Sequence, residues 1–317
     1  WPKSYGSPKK KEVDKVLEEN VNVVYRKQLK LSYNAVRNLI LQIYHHVPWM
    51  GTIDDGFKWS YTKADEEYYG DGSMEVALVE DLQGLEHMTA LKAQLRDVFQ
   101  FGLESVHSTD TYEEAKLAAN LLFNENSLHF LDKGKPDLFP HSFKLIMEFR
   151  KAVIDSGCSL DDYIVDSSMV MALYGIREAK DLDYLRLKTA KDPIIIENHD
   201  KHIENHDKHI ENHDKHIEEL IINPKNYLVF MGVKVLSLEN LSSFKASRGE
   251  NKDLKDVRLM KPYLREGGRR RQRIDRWNLT WRVFKRNAKM KIVKLMVAFL
   301  EKTGLYKPVR AIYRFII

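Results

Sequence analysis

The chain has 317 residues, a net charge of +5 and one cysteine. This length predicts two or three domains with enough apolar content for hydrophobic cores. The single Cys158 excludes a disulfide framework and fits a reducing compartment. The sequence contains no signal-peptide pattern and no run of about 20 apolar residues that could span a bilayer, so we expect a cytoplasmic location.

Residues 1–131 are predicted to form an N-terminal α/β domain of unknown role. Hydrophobic periodicity predicts helices over 13–19, 32–44, 91–101 and 112–124, and a strand over 74–80. An aromatic stretch interrupted by glycines occupies residues 49–72, and we interpret it as core. Gly134, Pro136 and Pro140 then mark a domain boundary near residue 132.

Residues 132–260 form the second predicted domain, and residues 161–187 carry its most informative pattern. A β-rich run ends in a pair of small residues, and an apolar helical stretch and a turn lead into a second strand with two carboxylates. In a strand, that spacing puts both carboxylates on one face, where they can bind Mg²⁺ or Mn²⁺ together with substrate phosphates. The positions in chain order are Tyr163, Ser167, Ser168, Gly175, Arg177, Asp181 and Asp183.

This order of elements resembles the nucleotidyltransferase superfamily with the DNA polymerase β-like fold. Its usual pattern is a Gly-Ser or Gly-Gly turn, a helix, and then Asp-hydrophobic-Asp. The abortive-infection nucleotidyltransferases are a similar variant, in which a leucine-rich helix and a Tyr-Gly pair separate the two elements, as Ala172-Leu173-Tyr174-Gly175 does here. The stretch 235–257, with Lys245, Arg248 and a Lys-Asp-x-x-Asp run from Lys252, is similar to the elements that follow the catalytic strands. The resemblance covers roughly residues 160–260.

The resemblance implies an α/β (α+β) fold with a nucleotidyltransferase-like mixed sheet and flanking helices. Asp181 and Asp183 are then the catalytic metal ligands. Lys245 is the candidate phosphate cation, and Arg248 at the end of the same helix is a second one. Ser167 and Ser168 are expected to donate hydrogen bonds to the phosphates of a nucleoside triphosphate or nucleotide-sugar, helped by the N-terminus of the following helix. Arg177 is expected either to clamp a phosphate or to pair with Glu178 and Asp181.

Two positions depart from the family pattern. Ser167 stands where the family has glycine, so the backbone is expected to approach phosphate less closely. The third catalytic carboxylate is also missing from the matching strand, residues 227–236. Either Asp200, Glu197 or a repeat counterpart supplies this acid, or the site is incomplete.

A heptapeptide repeat, Glu-Asn-His-Asp-Lys-His-Ile, occupies residues 197–217 in three copies. If the repeat is helical, its histidines form one stripe, and histidines four residues apart can chelate zinc or nickel. We favour a solvated helix whose metal affinity is incidental, because a selected site rarely needs three identical copies.

Residues 261–317 form a basic amphipathic tail with 17 Lys and Arg against three acids. Such helices suit an anionic membrane surface, and similar tails end many bacterial glycosyltransferases and surface-polysaccharide enzymes that act on lipid-linked acceptors. Binding to nucleic acid and packing against the protein body are the alternatives. The density of apolar residues favours lipid, so we expect a peripheral location at the inner membrane face.

These patterns together predict a Mg²⁺-dependent transferase that moves a nucleotidyl or other phosphate-containing group to a small acceptor, such as a sugar in surface-polysaccharide synthesis. Three alternatives stay open. They are an Asp-x-Asp glycosyltransferase that uses a nucleotide-sugar, a toxin-like nucleotidyltransferase that acts on RNA, and a catalytically inactive binding module.

Overall fold

A computed structural model describes residues 1–191, the backbone of 203–205, residues 217–264 and residue 302. The described residues up to 264 belong to one compact unit. Apart from residue 302, the predicted tail beyond residue 264 lies outside the described residues, and its membrane-binding role stays a prediction.

Residues 1–133 contain a two-stranded sheet and a set of helices. The predicted helices and the strand at 74–80 are confirmed, with ends shifted by a few residues. The sequence analysis did not predict the strand at Asn22–Lys30 or the helices at Pro2–Tyr5, Lys58–Glu67 and Glu125–Lys133. The helices are α1 (Pro2–Tyr5), α2 (Lys10–Asn20), α3 (Tyr33–Ile43), α4 (Lys58–Glu67), α5 (Leu85–Phe99), α6 (Tyr112–Leu122) and α7 (Glu125–Lys133), and the antiparallel strands are β1 (Asn22–Lys30) and β2 (Ser73–Glu80).

Residues 140–264 contain a mixed five-stranded sheet with helices around it. Its elements are α8 (Pro140–Asp155), β3 (Tyr163–Asp166), α9 (Ser168–Leu173), β4 (Leu182–Arg186), β5 (Ile203–Asn205), α10 (Ile217–Ile222), β6 (Tyr227–Phe230), β7 (Val233–Leu236), α11 (Leu238–Arg248) and α12 (Asn251–Leu264). The strand order is β5-β4-β3-β7-β6. β3 is antiparallel to β4 and parallel to β7, β5 is parallel to β4, and β6 is antiparallel to β7. The predicted mixed α/β fold is confirmed at this level, and the specific nucleotidyltransferase fold stays a prediction.

Part of the heptapeptide repeat forms a strand. Ile203–Asn205 pairs with β4 in parallel, so a helical repeat is wrong for these three residues. Ile217, the last residue of the repeat, begins α10. Residues 197–202 and 206–216 lie outside the described residues, and the proposed histidine stripe stays a prediction.

One large hydrophobic core spans both sides of the predicted boundary near residue 132. Phe130 of α7 packs edge-on against Phe230 of β6 and against Tyr174 after α9, at centroid distances of 5.7 and 5.4 Å. The core also takes in buried apolar residues from α3, α8 and strands β3, β4, β6 and β7. Residues 1–131 and 132–260 therefore share one core. A smaller core lies between α2 and α5.

The connection after α7 is fixed by buried polar contacts. Arg37 of α3 makes a bidentate ion pair with Asp137, at 3.0 and 2.8 Å, and both side chains are buried. The Lys135 amide donates to the Leu173 carbonyl at 2.9 Å, which ties the connection to the end of α9. Gly175 follows with φ +70°, and a Cβ there would lie 2.8 Å from the Lys135 Cβ. The connection thus holds the segment between the two strands that carry the candidate site.

Candidate functional site

The turn between β3 and α9 has a strained backbone. Ser167 adopts φ 57° and ψ −127°, a conformation that glycine reaches freely and residues with a Cβ rarely adopt. The turn therefore has a glycine-like backbone conformation although serine stands there. Such strain costs on the order of 1–3 kcal/mol and concentrates at functional sites.

Carboxylates lie at one edge of the strand pair β3–β4. Asp166 ends β3 and is paired in register with Asp183 of β4, so both side chains lie on one face of the sheet. Both are buried, with 1% and 8% of their surface exposed. Asp181 lies one residue before β4 rather than within it, and it is partly exposed. The predicted pair of acids is thus joined by a third, Asp166.

The serine turn contacts the entry of β4. Ser168 Oγ donates to Asp181 Oδ1 at 3.3 Å, and the Asp181 carbonyl lies 3.4 Å from the same hydroxyl. The Ser167 amide donates to Asp166 Oδ1 at 2.5 Å. The predicted residues Ser167, Ser168, Asp181 and Asp183 are therefore brought together within two adjacent strands and the turn that follows the first. α9 has only six residues, so its dipole contributes less than the sequence reading expected.

The backbone register also offers a position for the third carboxylate that the family resemblance implies. Glu204 of β5, the repeat counterpart of Glu197, is the register partner of Asp183 on the other side of β4. Glu197 and Asp200, the other two candidates, lie outside the described residues. Three acidic positions, 166, 183 and 204, thus form one cross-strand row.

The predicted phosphate cations belong to an ion-pair network with two acids of α12. Arg177 makes a bidentate pair with Asp256 at 2.9 and 2.8 Å, and not with the side chains of Glu178 or Asp181. Lys245 Nζ lies 3.0 Å from both Asp253 and Asp256. A further cation, Arg248, makes a bidentate pair with Asp253 at 2.5 and 2.7 Å. The network joins the turn after α9 to α11 and α12.

The network keeps its acids ionised although they are buried. Burial would raise the pKa of Asp253, but hydrogen bonds from Arg248 and Lys245 outweigh it and hold the pKa below its usual value. For Asp256, hydrogen bonds from Arg177 and Lys245 likewise outweigh burial and lower the pKa. Both acids therefore remain negative at neutral pH and act as counterions to the cations around them.

Helix α12 is anchored near its C-terminal end as well. His129 of α7 bridges the Tyr174 hydroxyl, 2.9 Å from Nδ1, and the Tyr263 carbonyl, 2.9 Å from Nε2. Burial lowers the pKa of His129, so the imidazole is neutral and can accept from one partner while it donates to the other. The left-handed Gly249, φ 69°, ends α11 and lets the chain reverse into α12.

Sequence reasoning missed three acids of this site. Asp166 directly precedes the serine pair. Its position at the end of a predicted strand, beside a candidate phosphate-binding turn, could have identified it as a site residue. Asp253 and Asp256 were noted only as part of a motif, and their spacing of three residues on a helix was the signal that they share a face. Their pairing with Lys245, Arg248 and Arg177 depends on how two helices pack, which no local pattern contains.

The donor set has the chemistry of a hard-cation site without forming a complete one. Within the described part of the chain, no group of three or more His, Cys, Asp or Glu side chains is arranged to hold a metal ion. Mg²⁺ needs only one or two protein carboxylates when phosphates and water complete its shell. Asp181 and Asp183 therefore suit Mg²⁺ held together with a nucleotide better than a metal held by protein alone.

Comparisons with known proteins found no match to this chain among protein-family models, curated proteins or solved structures. Among the described residues, every helix is too short or too polar to cross a membrane.

Proposed function

We propose that this chain is a Mg²⁺-dependent nucleotidyltransferase-like enzyme that moves a nucleotidyl group from a nucleoside triphosphate to the hydroxyl of a small acceptor. The observation that carries this proposal is the set of three carboxylates, Asp166, Asp181 and Asp183, at one edge of two central strands. They lie beside the strained turn at Ser167. Asp166 and Asp183 are directly opposite each other in the strand register, where like charges repel, and a divalent cation bound at this edge would offset that repulsion.

The chemistry is an in-line displacement at the α-phosphorus. The acceptor hydroxyl oxygen forms a bond to phosphorus, and the bond to the bridging oxygen breaks. Pyrophosphate leaves with that electron pair, and a carboxylate of the site takes the hydroxyl proton. Asp181 and Asp183 would hold Mg²⁺, which would act there as a Lewis acid and offset the negative charge that develops on the phosphate.

The residues around the acids take the supporting roles. Ser168, which already donates to Asp181, fixes the orientation of that carboxylate. The backbone at Ser167 has a positive-φ conformation of the kind that glycine favours, and such positions are used where a backbone approaches a ligand closely. The composition of the tail supports an acceptor at an anionic membrane surface, such as a lipid-linked sugar at the inner membrane face.

Nucleotide binding by the full chain tests the proposal. Binding of ATP, CTP, GTP and UTP is measured by isothermal titration calorimetry in MgCl₂ and in EDTA, for wild type and for Asp181→Asn and Asp183→Asn. At least one triphosphate should bind in MgCl₂, and each substitution should weaken that binding by about tenfold or more, because a charged ligand group is lost. Asp155→Asn is the matched control, since Asp155 is an exposed acid of α8 that pairs only with Lys151 among the described residues.

Each other outcome has a distinct meaning. Binding that is equal in MgCl₂ and EDTA, or no binding of any triphosphate, contradicts the proposal. Binding of a uridine diphosphate sugar in MnCl₂ without binding of triphosphates indicates a glycosyltransferase. When a triphosphate does bind, release of labelled pyrophosphate in the presence of candidate sugars distinguishes an enzyme from an inactive binding module.

A further inference from the structure

We propose that Arg248, at the C-terminal end of α11, binds the phosphate chain of the nucleotide, an inference that rests on the proposed function. Lys245, the other cation expected from the sequence, instead serves as an internal counterion. The two residues lie three positions apart on one helix and each contacts two acids, but 26% of the Arg248 side chain is exposed against 6% for Lys245.

The guanidinium of Arg248 is held in a fixed orientation, but not all of its N–H groups donate hydrogen bonds to the described residues. Its Nε and Nη2 donate to Asp253, so one edge of the planar group is fixed. Nη1 makes no hydrogen bond to any part of the chain that the structure describes, and 26% of the side chain is exposed. A guanidinium held on one edge presents its other edge with little further loss of freedom, which suits bidentate binding of phosphate.

Arg248 is also electrostatically linked to the carboxylate site. The hydrogen bond to Asp253 raises the pKa of Arg248, and the negative charge of Asp166 raises it further. Since Asp166 is the register partner of Asp183, the guanidinium lies within electrostatic reach of the row that is proposed to hold the metal. A phosphate chain bound to a metal at Asp181 and Asp183 would carry negative charge towards this cation.

Lys245 is in a different position. It is only 5% exposed, and its ammonium contacts Asp253 and Asp256 at 3.0 Å each. A phosphate could reach it only by displacing a carboxylate that would then stay buried without its counterion, which is strongly unfavourable. Lys245 therefore neutralises the acids of α12, whereas Arg248 keeps donor capacity towards solvent.

The dependence of affinity on phosphate number tests this inference. The full chain is titrated in MgCl₂ with the mono-, di- and triphosphates of adenosine, guanosine, cytidine and uridine. Wild-type affinity should rise with phosphate number. Arg248→Gln should weaken the triphosphate by about tenfold to a hundredfold and leave the monophosphate within about threefold, because only the outer phosphates lose a charged donor. Arg248→Lys keeps the positive charge but loses the two parallel donors of the guanidinium. Its affinity for the triphosphate should therefore lie between those of wild type and Arg248→Gln.

Arg26→Gln is the matched control. Arg26 of β1 is a guanidinium of similar exposure, 24%, that also pairs with carboxylates, and it should leave nucleotide affinity unchanged. Thermal unfolding by circular dichroism establishes that each variant is folded. If Arg248→Gln does not fold, a loss of phosphate dependence in Arg248→Lys decides the question.

The outcomes separate the two proposals. If wild type binds the triphosphate and Arg248→Gln, or Arg248→Lys in its place, binds it equally well, Arg248 is not a phosphate ligand and the proposed function still stands. If wild type binds none of the nucleotides in MgCl₂, the proposed function fails and this inference fails with it.

Discussion

Asp166 and Asp183 face each other directly across the antiparallel strands β3 and β4, and both are buried. Residues directly opposite in a sheet have Cβ atoms roughly 5 Å apart, and like charges at such positions destabilise the sheet. Arg248 offsets part of this repulsion from the side of Asp166. A divalent cation at this edge would offset more of it, which is why the pair supports a metal-dependent function.

Asp183→Asn should make the protein more stable in EDTA. The change removes one of two facing charges while the amide oxygen can still accept a hydrogen bond, so we expect a gain of about 0.5–1 kcal/mol in the free energy of unfolding. Urea denaturation in EDTA measures this change. In MgCl₂, wild type should gain stability and the variant should not. A variant that is less stable than wild type in EDTA would show that repulsion does not dominate at this pair.

Ser167→Gly should stabilise the protein, because glycine adopts the observed φ 57°, ψ −127° conformation without steric strain. Relief of strain exceeds the added entropy of the unfolded chain, and we expect a net gain of about 1 kcal/mol. Ser167→Ala keeps the strain and should change stability little. Urea denaturation of the two variants side by side is the measurement, and an alanine variant as stable as the glycine variant would contradict the strain.

Glu67→Gln should remove a loss of stability that occurs as the pH rises. Burial raises the pKa of Glu67 from 4.5 to about 7, although Lys63, 3.0 Å away, opposes this shift. Below pH 4.5 the carboxyl is protonated in both the folded and the unfolded state. Between pH 4.5 and pH 7 only the unfolded state releases the proton, so wild-type stability falls with rising pH, by at most about 3 kcal/mol.

The free energy of unfolding of wild type and Glu67→Gln, measured across this pH range, checks the effect. The stability of the variant relative to wild type should increase towards pH 7 and then level off. A difference that stays constant over the range would mean that Glu67 has an ordinary pKa in the folded protein.

Removing one partner of the Arg37–Asp137 ion pair should lower the free energy of unfolding more than replacing both partners with apolar residues. Arg37→Met leaves a buried carboxylate without its partner, and Asp137→Leu leaves a buried guanidinium, so each should destabilise by about 3–5 kcal/mol. The double variant buries neither charge, so its loss of stability should be smaller than the sum of the losses in the two single variants. A double-mutant cycle from urea denaturation measures the coupling, and additive losses would show that the two charges act independently.

The strand–turn–helix–strand order around the candidate site was predictable because each element has a local signal. Tyr163-Ile164-Val165 has high strand propensity, the serine pair marks a turn, and apolar residues fill the short helix that follows. The strand expected over residues 227–236 is present as two strands, β6 and β7, and α11 follows them. Helix α4 was missed because glycines at positions 56 and 70 border it closely, and they suggested an irregular segment.

The partners of the charged residues were not predictable in the same way. Cross-strand register pairs Asp166 with Asp183, 17 positions along the chain, and the reversal at Gly249 brings α12 back onto α11. The sequence predicts a phosphate-binding role for Lys245, because a lysine in a motif carries no information about its burial. Only the packing of α11 and α12 reveals that two carboxylates already hold it.

Strand β5 consists of Ile203-Glu204-Asn205, and the same tripeptide occurs at 196–198 and 210–212. Replication slippage that adds or deletes a whole heptad changes the gene by a multiple of three nucleotides and preserves the reading frame. Every such allele would still encode an Ile-Glu-Asn segment able to border β4. The edge of this sheet is thus buffered against changes in copy number, and natural length variants of the tract are expected to fold.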